Sequence, residues 1–359
     1  MDLLRDPAAP NHHDRVHSVV VVGAGILGAA AAFALAARGH RVTVIDEQAE
    51  TPSASDAAFG WVTRAGSAAA GPARSIPELE RVLADTRALL GRLDPTPWVS
   101  WSGAASWAET AQETRARIAQ SRSGMQLMPS GVRSLTLPGL RGHASAIAWA
   151  ADEAILDAAQ YRSAMLDQAV ALGATLRPGR VLHVTPLPLN SYRVLEESGA
   201  AVECDSLVLA CGVGIPKLAA QLGGSVAIDS SPAARFTFTA PDLEVTAVVS
   251  TPQFEIRPDG TGRFVAAEDV VAGEPEETTV MRARASLSAV RKAFGLAATP
   301  EPEALTIGWR PIPAGRALVC EALPDHPGAL VLAAHPGITL AATLALRVAD
   351  WAADRAHVS

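Results

Sequence analysis

The 359-residue chain carries a net charge of -7, with 49% hydrophobic and 19% charged residues. That balance excludes a disordered chain and argues against an extended basic face for nucleic acid, so no nucleic-acid partner is expected. The length suits two domains or one large interwoven one, and three cysteines without a CxxC pair (Cys204, Cys211, Cys320) fit reducing, cytoplasmic conditions. No Cys/His cluster has the spacing of a structural metal site, so no metal is expected.

Residues 1–17 read as a flexible tail carrying His12 and His13. Residues 18–37 form an uncharged run of twenty, long enough for a bilayer. Glycines divide that run into strand, turn and helix, and its flanking charges suit a signal peptide poorly, so no membrane span is expected. Residues 19–22 are a β-branched run that fits a fully buried parallel strand. Residues 25–38 read as an Ala-rich helix ended by Gly39, and 41–46 as a second strand ending in an acid. Residues 51–75 are rich in Ser, Ala and Gly without a period, and read as loop with short helical pieces. Helices are expected over 77–93, 110–122 and 155–172. Residues 174–176 read as a strand or turn, and strands are expected over 181–185, 192–195 and 207–210.

From 232 to 271 the pattern alternates, with strands expected at 235–239, 245–250, 254–257 and 264–267. Pro258-Asp259-Gly260 forms a hairpin turn between the last two. Residues 279–294 read as helix and 330–334 as a buried strand, with a final helix over 339–353 directly behind Gly337. The layout predicts an α/β fold. A Rossmann-like dinucleotide-binding domain is built from 18–75, 150–230 and 305–359. An inserted antiparallel-sheet substrate or cap domain comes from 76–149 and 231–304.

The sequence Val20-Val21-Val22-Gly23-Ala24-Gly25-Ile26-Leu27-Gly28 supplies GxGxxG between a strand and a helix. Gly23 permits the tight turn, Gly25 lets the backbone approach a pyrophosphate, and Gly28 lets the helix pack closely on the sheet. The helix start offers N–H groups and positive potential to phosphate. Asp46 ends the next strand, placed for ribose hydroxyls and unfavourable to a 2′-phosphate. The turn alone leaves FAD and NAD open.

Taken together, the motifs resemble the FAD-dependent amino acid oxidase family, which includes D-amino acid, glycine and sarcosine oxidases. The resemblance rests on the unit from Gly23 to Glu47 and the loop Ser53-Ala54-Ser55 to Gly60. It continues through Leu209-Ala210-Cys211-Gly212, Ile256-Arg257-Pro258-Asp259-Gly260 and Gly308-Trp309-Arg310-Pro311-Ile312-Pro313. It ends on His335-Pro336-Gly337-Ile338-Thr339-Leu340. In order and spacing these span nearly the whole chain.

The resemblance implies non-covalent FAD. It implies pyrophosphate contacts from Ser53, Ala54 and Ser55, and from Ala210 and Gly212. Val181 would clasp the adenine side, and Gly60 and Trp61 would run beside the flavin ring, although Trp61 reads equally well as core. The amides of Gly337, Ile338, Thr339 and Leu340 would face the flavin pyrimidine oxygen. Arg310 would anchor a substrate carboxylate through its planar fork, or else stack on Trp309 or pair with Glu301 or Glu303.

The chain also departs from the family. Pro313-Ala314-Gly315-Arg316 lacks an acid before the glycine, and no further basic residue accompanies His335-Pro336-Gly337. No tyrosine lies in the inserted sheet, where Phe254 or Phe236 are candidates for the substrate wall. The expected activity is oxidation of a C–N bond of an amino acid or amine. Hydride passes to flavin N5, and oxygen or an electron-carrier protein serves as re-oxidant. A flavin-dependent hydroxy-acid dehydrogenase, a flavin-bearing subunit with little activity, and an NAD-dependent dehydrogenase are the alternatives.

Overall fold

A computed structural model describes residues 16–47, 52–64, 81–93, 97–120, 124–141, 146–315 and 318–356. The expected tail up to residue 15, the loop over 65–75, the helix start at Pro77, and Arg316 lie outside the described residues.

Four consecutive valines have no polar side, so the strand they form needs cover on both faces. That strand, Ser18–Val22, lies inside a six-stranded sheet. The order across the sheet is Leu318–Leu323, His326–Ala334, Ser206–Leu209, Ser18–Val22, Arg41–Asp46 and Thr175–Pro178. All neighbours run parallel except the first pair, which closes one edge antiparallel. Successive side chains alternate between the faces. Val19, Val21, Val42 and Val44 pack with the helices Ile26–Ala37 and Gly337–Ala356. Val20, Val22, Ile45, Leu207 and Leu209 pack under the helix Ile215–Gln221 and a three-stranded antiparallel meander, Val181–Leu187, Ser191–Glu196 and Ala201–Cys204. The first helix is buried from Ile26 through Ala36, between the sheet and the helices Ala158–Ala171 and Gly337–Ala356. An all-round apolar helix belongs in such a place. The uncharged run is therefore strand, turn and helix, and no described helix is long and apolar enough to cross a membrane.

The second layer is an eight-stranded sheet, ordered Glu303–Pro313, Ile228–Thr239, Arg263–Asp269, Glu255–Pro258, Val248–Ser250, Ala104–Ser106, Ala148–Ala150 and Gln126–Leu127. Phe236, Phe238, Ile256, Phe264 and Ala266 share one face and pack on Ala283, Leu287, Val290 and Phe294 of the helix Glu276–Phe294. Residues of the other parity are thereby turned to the opposite face. The register aligns Ser231 with Arg310, Ala233 with Asp269, and Arg235 and Glu255 with Ala267.

Two expectations need correcting. The helix expected from residue 155 begins at Ala158, because Ile155 belongs to the strand Ala154–Leu156, which pairs with Trp61–Val62. Asp157 is the N-cap and accepts a bond from the Gln160 amide at 3.0 Å. The boundary expected at residue 305 falls inside the strand Glu303–Pro313, which pairs along Ile228–Thr239, so the chain rejoins the parallel sheet only at Leu318. Pro311 and Pro313 are tolerated because this is an edge strand, where a missing N–H leaves no partner unpaired.

Candidate active site

Between the two sheets lies a cavity of about 1310 Å³. That exceeds the roughly 300–1,000 Å³ usual for small-molecule sites, and leaves room for a dinucleotide with a small substrate beside it. Gly23, Gly25, Ile26, Leu27, Asp46, Glu47, Ser53, Ala54, Ser55, Gly60, Trp61, Val181, Ala210, Gly212, Arg310, Gly337, Ile338 and Thr339 all line it. Gly28 and Leu340 do not. Gly28 is a glycine for packing: a Cβ there would lie 1.9 Å from the Gly23 carbonyl oxygen. The Leu340 side chain is in the core, and its amide donates to the Pro336 carbonyl at 3.2 Å. The expected set of four amides at the last helix thus narrows to Gly337, Ile338 and Thr339.

At one end the chain turns tightly. Gly23 has φ of +100°, and a Cβ on it would sit 2.7 Å from the Ala210 carbonyl oxygen. Gly25 opens the first helix, and its Cβ position meets only Ser55 Oγ, at 3.3 Å. That bare backbone edge at a helix start leaves room for a phosphate group. Ser55 Oγ accepts from the Ile26 amide at 2.9 Å, and Asp46 accepts from the Ala24 amide at 2.6 Å. Both loops are therefore held against the turn. Ser53 Oγ donates to Asp56 at 2.7 Å, which folds the 53–57 loop on itself. Glu47 stands 3.4 Å from Arg180 at the rim.

Further along, three donors converge on one buried carboxylate. Glu153 accepts from Trp61 Nε1 at 2.9 Å, Thr63 Oγ1 at 2.8 Å and the Arg64 amide at 2.9 Å. Burial nevertheless raises its pKa to about 7, against the pull of those bonds. Thr339 Oγ1 donates to the Trp61 carbonyl at 3.1 Å, tying the last helix to the same segment. Arg257, also buried, donates through Nε to the Phe59 carbonyl and through Nη1 to Asp259 at 3.2 Å. It joins the cap sheet to the loop before Gly60.

The cap end holds charged groups of its own. Arg310 donates through Nη2 to Asp269 and to Ser231 Oγ, each at 2.9 Å, so its partner is neither Glu301 nor Glu303. Glu301 instead pairs with Arg284 at 2.9 Å. Glu255 lines the cavity and accepts from Ser250 Oγ at 2.9 Å. Burial lifts its pKa to about 7, with Asp269 and Glu268 adding to the rise and Arg310 opposing it. His335 is held down at about 4 by burial and by Arg310, so it is neutral. Phe254 and Phe236, the candidates for the substrate wall, both pack in the cap core. Alternation carried the signal for Glu255: with Phe254 and Ile256 inward, Glu255 and Arg257 must face the cavity side.

A glycine turn between parallel strand and helix, opening into a cavity roofed by a second sheet, defines a dinucleotide-binding oxidoreductase architecture. Residues 18–351 match the family model described as "FAD dependent oxidoreductase", and the chain belongs to that family. Comparison with curated protein sequences found no match. Glycine oxidase from Geobacillus kaustophilus is similar in structure, with a TM-score of 0.79 and 22% identity over 95% of each chain. Iminodiacetate oxidase from Chelativorans sp. BNC1 superposes with a TM-score of 0.75 at 21% identity, covering 92% of this chain and 94% of that one. An L-amino acid deaminase from Proteus vulgaris gives 0.78 at 16% identity, over 96% and 94%. At these identities the likeness is one of fold. The open edge at Gly25, the tight turn at Gly23 and the long cavity fit FAD.

Proposed function

We propose that the protein oxidises a carbon–nitrogen bond of an amine or amino acid, using FAD held non-covalently along the cavity. The observation that carries this reading is one continuous cavity that runs from the Gly23 turn to a charged cap wall at Arg310. Structural relatives named for glycine, iminodiacetate and L-amino acids support a nitrogen-bearing substrate.

In this reading Asp46, Glu47 and Val181 hold the adenosine side. Gly23, Gly25, Ile26, Leu27, Ala210 and Gly212 cradle the pyrophosphate with Ser53, Ala54 and Ser55. Gly60, Trp61 and the Gly337, Ile338 and Thr339 amides flank the ring. Bound there, FAD would supply the acceptor for a hydride. Burial pushes the Cys211 thiol up to about 12, so this cavity cysteine stays protonated, which supports a non-covalent cofactor. Oxygen or an electron-carrier protein is the re-oxidant, and three free cysteines suit the cytoplasm.

Arg310 anchors the substrate carboxylate, sharing its guanidinium with Asp269. A planar fork orients a carboxylate in a way that a lysine cannot. Replacing Arg310 by Met keeps length and removes the donors. FAD content should hold, while apparent affinity for a carboxylate-bearing substrate should fall tenfold or more, about 1.4 kcal/mol. Unchanged concentration dependence would make Arg310 structural.

The defining experiment is anaerobic titration of the yellow holoprotein with amines, amino acids and hydroxy acids. Bleaching by an amine or amino acid is expected. Bleaching by hydroxy acids alone would replace this reading with a hydroxy-acid dehydrogenase, and no bleaching by any would leave a flavin-bearing subunit.

A further inference from the structure

The cap face of the cavity carries an unbalanced charge. Arg310 is already bonded to Asp269 at 2.9 Å. Glu255 lines the same cavity, yet among the described residues it makes no salt bridge; its carboxylate accepts from Ser250 Oγ at 2.9 Å. Arg235 shares its row across the sheet, but Ala267 stands between them in the register. His335 at the cavity wall is neutral and supplies no counter-charge. Phe254 and Ile256 are fixed in the cap core, so strand alternation holds Glu255 in place. Arg310 acts on Glu255 only through space while bonded to Asp269, and a desolvated carboxylate with no cation in contact is unfavourable unless it takes up a proton or a positive group arrives.

We infer that Glu255 is the subsite for the substrate's positively charged nitrogen and takes a proton from it there, so that the site selects cationic amines. The inference rests on the C–N oxidation proposed above. An N–H bond of the ammonium breaks, an O–H bond forms on Glu255, and the electron pair stays on nitrogen. The product of that transfer is the neutral amine, whose lone pair assists loss of hydride from the adjacent carbon. Ser250 Oγ keeps the carboxylate turned toward its position while the proton moves.

The test uses the FAD-loaded protein, with benzylammonium and its uncharged analogue benzyl alcohol as probes, followed by isothermal titration calorimetry. The wild type should bind benzylammonium at least tenfold more tightly than benzyl alcohol. Glu255→Gln should lose at least tenfold for benzylammonium and leave benzyl alcohol unchanged. Equal affinity for the two probes in the wild type overturns the proposal without recourse to any variant. So does an unchanged benzylammonium affinity in a folded Glu255→Gln protein. The proton step has its own readout: with an amine that bleaches the flavin, Glu255→Gln should shift the pH profile of bleaching to higher pH. An unmoved profile removes the proton role. If no amine bleaches the flavin while benzylammonium binding still depends on Glu255, the oxidation reading falls and the cation subsite stands.

Discussion

In the proposed FAD site the missing side chain of Gly25 is itself the functional feature, because a Cβ would occupy the edge of the cavity 3.3 Å from Ser55 Oγ. A valine there adds two methyl groups where the proposed pyrophosphate would approach, and it crowds the hydroxyl that accepts from the Ile26 amide. Gly25→Val is expected to fold and to lose its FAD, read as absorbance of the purified protein against its circular dichroism. A folded variant that retains stoichiometric FAD would show the turn to be misassigned. The neighbouring glycines differ in kind. Gly23 sits at a φ of +100° against the Ala210 carbonyl, and Gly28 abuts the Gly23 carbonyl, so substitutions there distort the turn before they touch a ligand. Gly25 is therefore the position that separates binding from folding.

Between elements, Gly308 is a second contact, beside Arg257 and Phe59, that sets the cap sheet against the 53–57 loop. A Cβ on this residue of the edge strand would come 2.6 Å from Ala57 Cβ and 2.9 Å from the Ser53 carbonyl. Gly308→Ala is expected to push the strand Glu303–Pro313 off the 53–57 loop and to destabilise the protein by about 1–3 kcal/mol. FAD affinity should weaken with it, because Ser55 rides on the same loop. Denaturant melts of the apoprotein test this, and an unchanged midpoint would mean that the two layers slide freely.

This strand was also the least legible element in the sequence. No strand was expected over 303–313, and nothing local reveals that it lies at an edge where its two prolines are harmless. The parallel core was legible because Val19 to Val22 is apolar on both faces and the glycine turn follows at once. The helix start at 155 was misread because Ile155 and Leu156 satisfy both the strand and the helix period, although Asp157 marks the cap. Glu255 and Asp269 were missed at the site. Each is an unremarkable acid until the packing of neighbours on the cap helix assigns a direction: Phe254 and Ile256 for Glu255, Phe264 and Ala266 for Asp269.

Across the whole molecule, buried ionisable groups set how stability follows pH. Glu153 ties the strands Trp61–Val62 and Ala154–Leu156 to the segment that meets the last helix, and burial raises its pKa from 4.5 to about 7. Between those two values the folded chain holds a proton that the unfolded chain has lost. Stability contributed by this group is therefore full below about pH 4.5 and falls as pH rises through about 7. His335 slopes the other way. Its pKa drops from 6.5 to about 4, so its contribution is present above pH 6.5 and is lost as pH falls toward 4. A bare melting profile mixes the two, with Glu255 parallel to Glu153. The difference between wild type and Glu153→Gln isolates one of them. The amide faces the Trp61 indole N–H with a donor, so the variant is less stable where Glu153 is protonated and well satisfied. Near pH 8 the wild type bears a buried charge that the variant lacks, and the gap should narrow by up to about 3 kcal/mol. Urea denaturation of both apoproteins at pH 5 and pH 8 measures that gap. A gap that is the same at both pH values would mean that the three converging donors, rather than burial, set the ionisation of Glu153.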